Sequence, residues 1–209
     1  MNDQGSAAWL AERAGKVTAS KVADVIAKTR SGWGASRANY MALLIAERLT
    51  GQPADSYTNA AMQWGTDQEP HARAAYEAET GSLVEQVGFI THPVISMSGA
   101  SPDGLVGPDG LIEIKCPSTA THIETLLGAE IDHKYFCQMQ WQMACTGRAW
   151  CAFASFDPRM PEHMRLHVAI VKRDDKFIAS LEKDVREFLC ELDAKLAALN
   201  KSHPLKEAA

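Results

Sequence analysis

The residues best placed to do chemistry lie in one short stretch, Ser101-Pro-Asp-Gly-Leu-Val-Gly-Pro-Asp-Gly-Leu-Ile-Glu-Ile-Lys-Cys-Pro117. Asp103 falls in a turn, and Glu113 and Lys115 take alternate positions in the apolar run that follows. Side chains alternate along a strand, so Glu113 and Lys115 share a face while Ile112 and Ile114 point into the core. Two carboxylates at a strand rim are hard oxygen donors of the kind magnesium takes, with positions left for water and a substrate phosphate. The carbonyl of Ile114 offers a third protein ligand. Lys115 would then orient or help deprotonate an attacking water and steady the charge growing on a phosphate. A nearby cation would lower its pKa, while the acids oppose that shift. Two metals about 3.5–4 Å apart would stabilise both the attacking and the leaving oxygen. The plainer alternative is a hairpin with a surface Glu–Lys pair, and an acid-x-Lys spacing alone does not exclude it.

The elements that must hold these residues read as helices first, then strand runs interrupted by one helix, and a last helix. Residues 19–28 and 37–50 are expected as helices, the second with apolar residues at 41, 44, 45 and 49 and Gly51 as its stop. Arg30-Ser-Gly-Trp-Gly between them is a loop. Residues 60–79 are helical up to Gly81, with Pro70 either kinking one helix or starting a second. Four β-rich runs follow: Leu83–Thr91, Val94–Ser98, Leu111–Cys116 and, after a helix near 135–147, Ala149–Phe156. Leu166–Arg173 is a fifth. Pro102-Asp-Gly and Pro108-Asp-Gly are turn signals. A last helix over 176–199 carries an apolar stripe from Leu181 to Leu199. With no repeat or linker, residues 1–209 form a single α/β domain: a central mixed β-sheet of about five strands flanked by helices.

Composition bounds the rest. At 209 residues and 46% hydrophobic the chain can bury one good core. No apolar run approaches the roughly 18–20 residues that span a bilayer, and the N-terminus lacks the apolar centre of a secretory signal, so a cytoplasmic location is expected. The five cysteines include no Cys-x-x-Cys pair, which argues against a zinc ribbon, a disulfide framework or an iron–sulfur cluster. The net charge of −5 argues against coating DNA by bulk attraction. The first 50 residues, however, hold seven Lys/Arg against four acids, which suits a localised groove. Gly15-Lys16-Val17-Thr18 lacks the upstream glycine of a phosphate loop, Gly99–Asp103 lacks the last glycine of a nucleophile elbow, and His163 and His167 straddle no helix that would let them share a metal.

The Pro-Asp…Glu-x-Lys pattern resembles the PD-(D/E)xK signature of restriction-endonuclease-like nucleases. Six ordered segments sharpen the resemblance: Trp9-x3-Arg13-x-Gly15-x-Val17-Thr-Ala-Ser20, Trp64-Gly-x3-Glu69, Ser101-Pro-Asp-Gly, Glu113-Ile-Lys-Cys-Pro, Tyr135-x2-Gln138-x-Gln140 and Phe156-Asp-Pro-Arg-Met. Together they are similar to the phage lambda-type alkaline exonucleases, the nuclease half of viral recombination systems. The resemblance implies a restriction-endonuclease-like core and a 5′→3′ exonuclease that works on double-stranded DNA ends with two magnesium ions (Mg2+), manganese (Mn2+) being able to replace them. It releases 5′-mononucleotides and leaves a 3′ single strand for a single-strand annealing protein. The family forms a ring-shaped homotrimer with DNA in its channel, encoded by phage or prophage and active in the host cytoplasm.

Carried over by position, Asp103, Glu113 and the Ile114 carbonyl resemble the metal ligands and Lys115 the catalytic lysine. Glu69 and Gln138 resemble further active-site residues, although Glu69 also stands at a capping-box distance from Thr66. Arg13, Ser20 and Ser101 resemble a pocket for the terminal 5′-phosphate, with Ser20 alternatively capping a helix. Arg30 matches a residue that reaches the duplex, and Met62 an apolar wedge between the strands or else a core residue. After Cys116-Pro117 this chain reads Ser-Thr-Ala-Thr where the family pattern has an arginine. An endonuclease or junction resolvase with the same core, and a non-catalytic DNA-binding or recombinase-docking subunit, are the competing readings.

Overall fold

Asp103, Glu113 and Lys115 do lie on a hairpin, and a computed structural model describing residues 3–30, 32–54 and 59–204 shows what surrounds it. The chain runs α1 (Ala7–Arg13), β1 (Val17–Thr18), a 3-10 turn (Ala19–Lys21), α2 (Val22–Val25), β2 (Lys28–Thr29), β3 (Gly32–Trp33), α3 (Ala35–Thr50) and α4 (Ala60–Thr80). It continues through β4 (Val84–Glu85), β5 (Ile90–Thr91), β6 (Ser98–Ala100), β7 (Gly104–Val106), β8 (Gly110–Lys115), α5 (Thr119–Leu126) and α6 (His133–Thr146). Last come β9 (Trp150–Phe156), β10 (Leu166–Lys172) and α7 (Asp175–Ser202).

The central sheet has five strands in the order β10-β9-β8-β7-β4. Only β8 and β9 are parallel, joined through α5 and α6; the other pairs are antiparallel. This is the mixed sheet flanked by helices that the sequence predicts. Ile112, Ile114, Ala152 and Ala154 pack against Ala72 and Tyr76 of α4. Leu111, Cys151 and Phe153 on the opposite face pack against Met139 and Met143 of α6 and Ile178 of α7. Both faces of β8 are therefore covered, which explains its nearly unbroken apolar run. The face that carries Glu113 is thus as buried as the face that carries Ile112, a correction to the simple in-and-out alternation.

Beyond α6, a second apolar layer joins α2, α3 and α7 around Leu44, Trp141 and Phe188. Each fully buried side chain of this size stabilises the fold by about 1.5–3 kcal/mol. Asp174 opens α7 by accepting from the backbone N–H groups of Lys176 and Phe177. The stripe of α7 stays buried as far as Leu192, while Leu199 is 39% exposed, so the last turns run past the core. Gly51 and Gly81 end α3 and α4 in the left-handed conformation, as the sequence predicts for both.

Four expectations are corrected, and the alternative left open at Pro70 is decided. Residues 19–28 do not form one helix: a 3-10 turn and a four-residue helix stop before Ala27, whose carbonyl accepts from the Gly34 N–H at 2.8 Å. That bond closes the small β2–β3 hairpin where a loop was expected. The Leu83–Thr91 run splits into two short strands, one pairing with β7 and the other with β6, in separate sheets. Residues 94–97 are not a strand, because the Ser98 N–H and hydroxyl both turn back to the Ile95 carbonyl. Pro70 sits inside one continuous α4 rather than starting a second helix.

Candidate active site

The hairpin register brings the two acids together. Gly104 pairs with Ile112 across β7 and β8, so one step further along the ladder Asp103 comes opposite Glu113. Asp103 Oδ2 accepts from the Ile114 N–H at 2.6 Å, fixing the turn carboxylate against the end of β8. The glycine after Asp103 is required by close approach rather than by a turn: a Cβ there would lie 2.1 Å from Val84 Cγ1 on β4. Glu113 is fully buried. Its Oε1 accepts from Gln138 Nε2 at 2.7 Å and pairs with Lys115 Nζ, and its Oε2 accepts from Gln142 Nε2 at 2.6 Å. Lys115 Nζ also lies 4.9 Å from the centre of the Tyr135 ring.

Helix α4 closes the other side. Asn59, not Thr66, caps it, accepting from the Met62 N–H at 2.9 Å, so Glu69 lies mid-helix and takes no part in a capping box. Glu69 instead pairs with Arg73 one turn on, at 2.5 Å. Asp103, Glu113, Lys115, Glu69 and Gln138 line one open cleft of about 840 Å³ at the end of β8. Met62 stands on its wall and is 53% exposed, which removes the core-packing alternative.

The charges in the cleft strain against one another. Burial, followed by the neighbouring Glu113, pushes the Asp103 carboxyl well above the usual range. Burial also raises Glu69, with Arg73 opposing. For Lys115, burial alone would depress the ammonium, but Glu113 and Asp103 beside it outweigh that and carry its pKa above the ordinary lysine value. Close acids resist ionising together, and positive charge beside them relieves that repulsion. The donors at hand are all oxygens, two carboxylates and the Ile114 carbonyl, a set that fits a hard divalent ion. Among the described residues no group of three or more His, Cys, Asp or Glu side chains forms a metal cluster, and this donor set, needing only two, is compatible with that.

Arg13, Ser20 and Ser101 meet in a separate cavity of about 160 Å³, which Gln138 also lines. The Arg13 guanidinium stacks 3.7 Å from the Trp9 ring centre, and Trp9 Nε1 donates to Ser101 Oγ at 2.9 Å. Burial lowers the Arg13 pKa. Ser20 makes no helix cap: Thr18 precedes the 3-10 turn, and Ser20 Oγ lies 3.4 Å from Thr18 Oγ1. Arg30 is exposed in the turn between β2 and β3 and lines neither cavity.

Comparison with known proteins agrees with this architecture. The profile of the YqaJ-like viral recombinase domain matches residues 8–149. The chain belongs to that family. It is similar to LHK-Exo, an alkaline exonuclease from Laribacter hongkongensis, at 54% identity over 94% of this chain and 97% of the other, with a TM-score of 0.88. The structure of LHK-Exo in complex with dAMP matches equally well, at 54% identity and a TM-score of 0.88. A phage-related exonuclease from Haemophilus somnus 129PT shares the fold at 16% identity and a TM-score of 0.68, over 88% of this chain and 96% of its own. The ExoD protein of Escherichia coli (strain K12) is 35% identical over 69 residues, 33% of this chain and 78% of that protein. A nuclease of the exonuclease type is what this family membership supports.

Within this recombinase-family fold, three features escaped the sequence reading. Gln142, one turn after Gln138, holds the second oxygen of Glu113, and its own Oε1 is buried without a partner. An unsatisfied buried acceptor costs about 1–3 kcal/mol. Its spacing from Gln138 was the available signal, since residues four apart share a helix face. Arg159, from the Phe156-Asp-Pro-Arg-Met segment, lines the cleft, lies 4.6 Å over the Trp64 ring and donates to the Pro117 carbonyl at 3.2 Å. It brings a guanidinium to the region where the chain lacks the family's arginine after Cys116-Pro117. That stretch instead starts α5, with Ser118 accepting from the Thr121 N–H.

Proposed function

We propose that this protein is a magnesium-dependent 5′→3′ exonuclease acting on double-stranded DNA ends. The observation that carries the reading is the pair of adjoining cavities that share Gln138: one gathers Asp103, Glu113, Lys115 and Glu69, the other Arg13, Ser20 and Ser101. The small cavity suits a terminal phosphate, because a guanidinium and two hydroxyls offer donors on several sides. Anchoring the end there lays the next phosphodiester in the cleft.

Asp103, Glu113 and the Ile114 carbonyl would hold the divalent ions, which when bound lower the pKa of a coordinated water and offset charge on the phosphate. Lys115 orients the attacking water and donates to a phosphate oxygen. Gln138 and Lys115 hold Oε1 of Glu113 on the cleft side, and Glu69 takes up or relays the proton that the water loses. Water adds to phosphorus, the bond to the 3′-oxygen breaks, and that oxygen leaves protonated on a 5′-mononucleotide. The shortened strand keeps the phosphate as its new 5′ end, ready for the Arg13 cavity. The dAMP held by LHK-Exo supports a mononucleotide product.

As partners we propose an annealing protein to receive the 3′ strand and two further copies of the chain, closing a ring whose channel, not whose whole surface, is basic. Measurement of the mass in solution tests the trimer. A phage or prophage origin and a cytoplasmic location belong to the same reading; no helix among the described residues is long and apolar enough to cross a membrane.

The deciding experiment digests linear duplexes bearing 5′-phosphate or 5′-hydroxyl ends, alongside covalently closed circles, with and without magnesium. Fast, magnesium-dependent release of mononucleotides from phosphorylated ends is expected, with circles untouched. Cutting of circles would favour the endonuclease reading, and no digestion at all would favour a non-catalytic subunit.

A further inference from the structure

Glu113 is held from two levels of the same helix, and the deeper contact is the unexplained one. Gln138 lines both cavities, whereas Gln142 is fully buried and lines neither. Gln142 therefore has no path to DNA; its reach toward the chemistry ends at Glu113 Oε2. A carboxylate offers only acceptors, so the amide must turn its nitrogen to Glu113. That choice leaves Gln142 Oε1 buried with no donor. A core position that tolerates an orphaned acceptor is more cheaply filled by an apolar side chain, as at Met139 and Met143 on the same helix. The amide is retained for the one bond it makes.

We infer that Gln142 is a positioning residue that holds Glu113 in its metal-ligating orientation. This rests on the metal-dependent reading above. Gln142 pins Oε2 on the core side, while Gln138 and Lys115 meet Oε1 on the cleft side. Without the inner bond the carboxylate can swing about its last torsion, and the ion loses a preorganised ligand. Groups behind a ligand commonly change metal affinity by about 10–100-fold when removed.

The test compares the full chain with Gln142→Met, which keeps the volume and removes the donor. Manganese alone is titrated into each protein and followed by electron paramagnetic resonance, without DNA. Magnesium activation curves on a 5′-phosphorylated duplex are then measured, with KM and kcat separated. Gln142→Met is expected to bind manganese about tenfold more weakly and to need about tenfold more magnesium for half-maximal rate. KM for DNA ends should stay within about twofold, and kcat at saturating magnesium should recover to within about threefold, because no DNA contact or acid–base group has been removed. A variant that melts earlier but matches the wild type in manganese affinity and magnesium requirement would reduce Gln142 to a packing role. Should Gln142→Met not fold, Gln142→Asn, one methylene too short to reach Glu113, is held to the same outcomes. Wild-type protein that binds no manganese would bring down the metal reading and this inference together, whereas equal binding by wild type and variant overturns this inference alone.

Discussion

Along α6 the side chains that reach the floor of the cleft are hydrogen-bonded to it: Gln138 and Gln142 both donate to Glu113, and Tyr135 lies beside the Lys115 ammonium. Along the facing half of α4 the plan is different. Ala72 and Tyr76, past Pro70, anchor that helix to the sheet. The turns before Pro70 line the cleft with Met62 exposed and the Arg159 guanidinium lying over the Trp64 ring. One wall fixes reacting groups through bonds, and the other, in the turns ahead of Glu69, presents an exposed apolar side chain to whatever enters. Precise geometry is needed where charge is handled, while a duplex end needs a surface that can yield.

The largest effect that bears on this contrast belongs to the floor. Lys115→Ala should lower cleavage by about 10³-fold or more, while binding of duplex in calcium persists. Turnover at the wild-type rate would remove the bond-rich wall from the chemistry. Next, Arg13→Ala should cut the preference for 5′-phosphorylated over 5′-hydroxyl ends by about tenfold, since a charge-assisted bond to phosphate is lost. An unchanged ratio would mean that the small cavity holds something else. On the soft wall, Met62→Ala should slow digestion of blunt duplex only about threefold and leave pre-frayed ends unaffected. Equal slowing on both would show Met62 to be structural.

The smallest effect concerns the carboxylate behind the Arg159 guanidinium. Asp157 is buried, which would raise its carboxyl, but hydrogen bonds from Arg159 and Thr119 overcome this and hold it at about 2. A carboxyl depressed in the folded state stabilises the protein above its ordinary pKa, and that contribution fades as pH falls from about 4 toward 2. Urea midpoints measured across that window should decline less steeply for Asp157→Asn than for the wild type. Parallel curves would mean that the Asp157–Arg159 pair contributes nothing to acid stability.

The sequence revealed the floor of the site more fully than its walls. Period-two alternation and the turn residues located Asp103, Glu113 and Lys115 because strand pairing leaves little choice of partner. Glu69 and Gln138 came from matching motifs, and the register of α4 and α6 places both at the cleft. Gln142 was missed because a glutamine inside an apolar helix is read as one more helical residue until its partner is known. Arg159 lies 44 positions from Lys115, and only folding brings it alongside. Short elements were the other blind spot. α1, α5 and the β2–β3 hairpin are too brief for periodicity to register, and the 19–28 segment, apolar at Val22, Val25 and Ile26, looked longer than its hydrogen bonds allow.

The pairing of Gly104 with Ile112 has a further implication for how this centre tolerates change. What keeps the two acids facing is the ladder, not the count of residues between them. Extra length at the tip, among Gly107, Pro108 and Asp109, would lengthen a solvent-facing bend and leave the cutting centre intact. A single residue inserted within β8 ahead of Ile112 would instead turn Glu113 toward α4 and Ile112 or Ile114 toward the glutamines, exchanging a charged face for a greasy one in a single step.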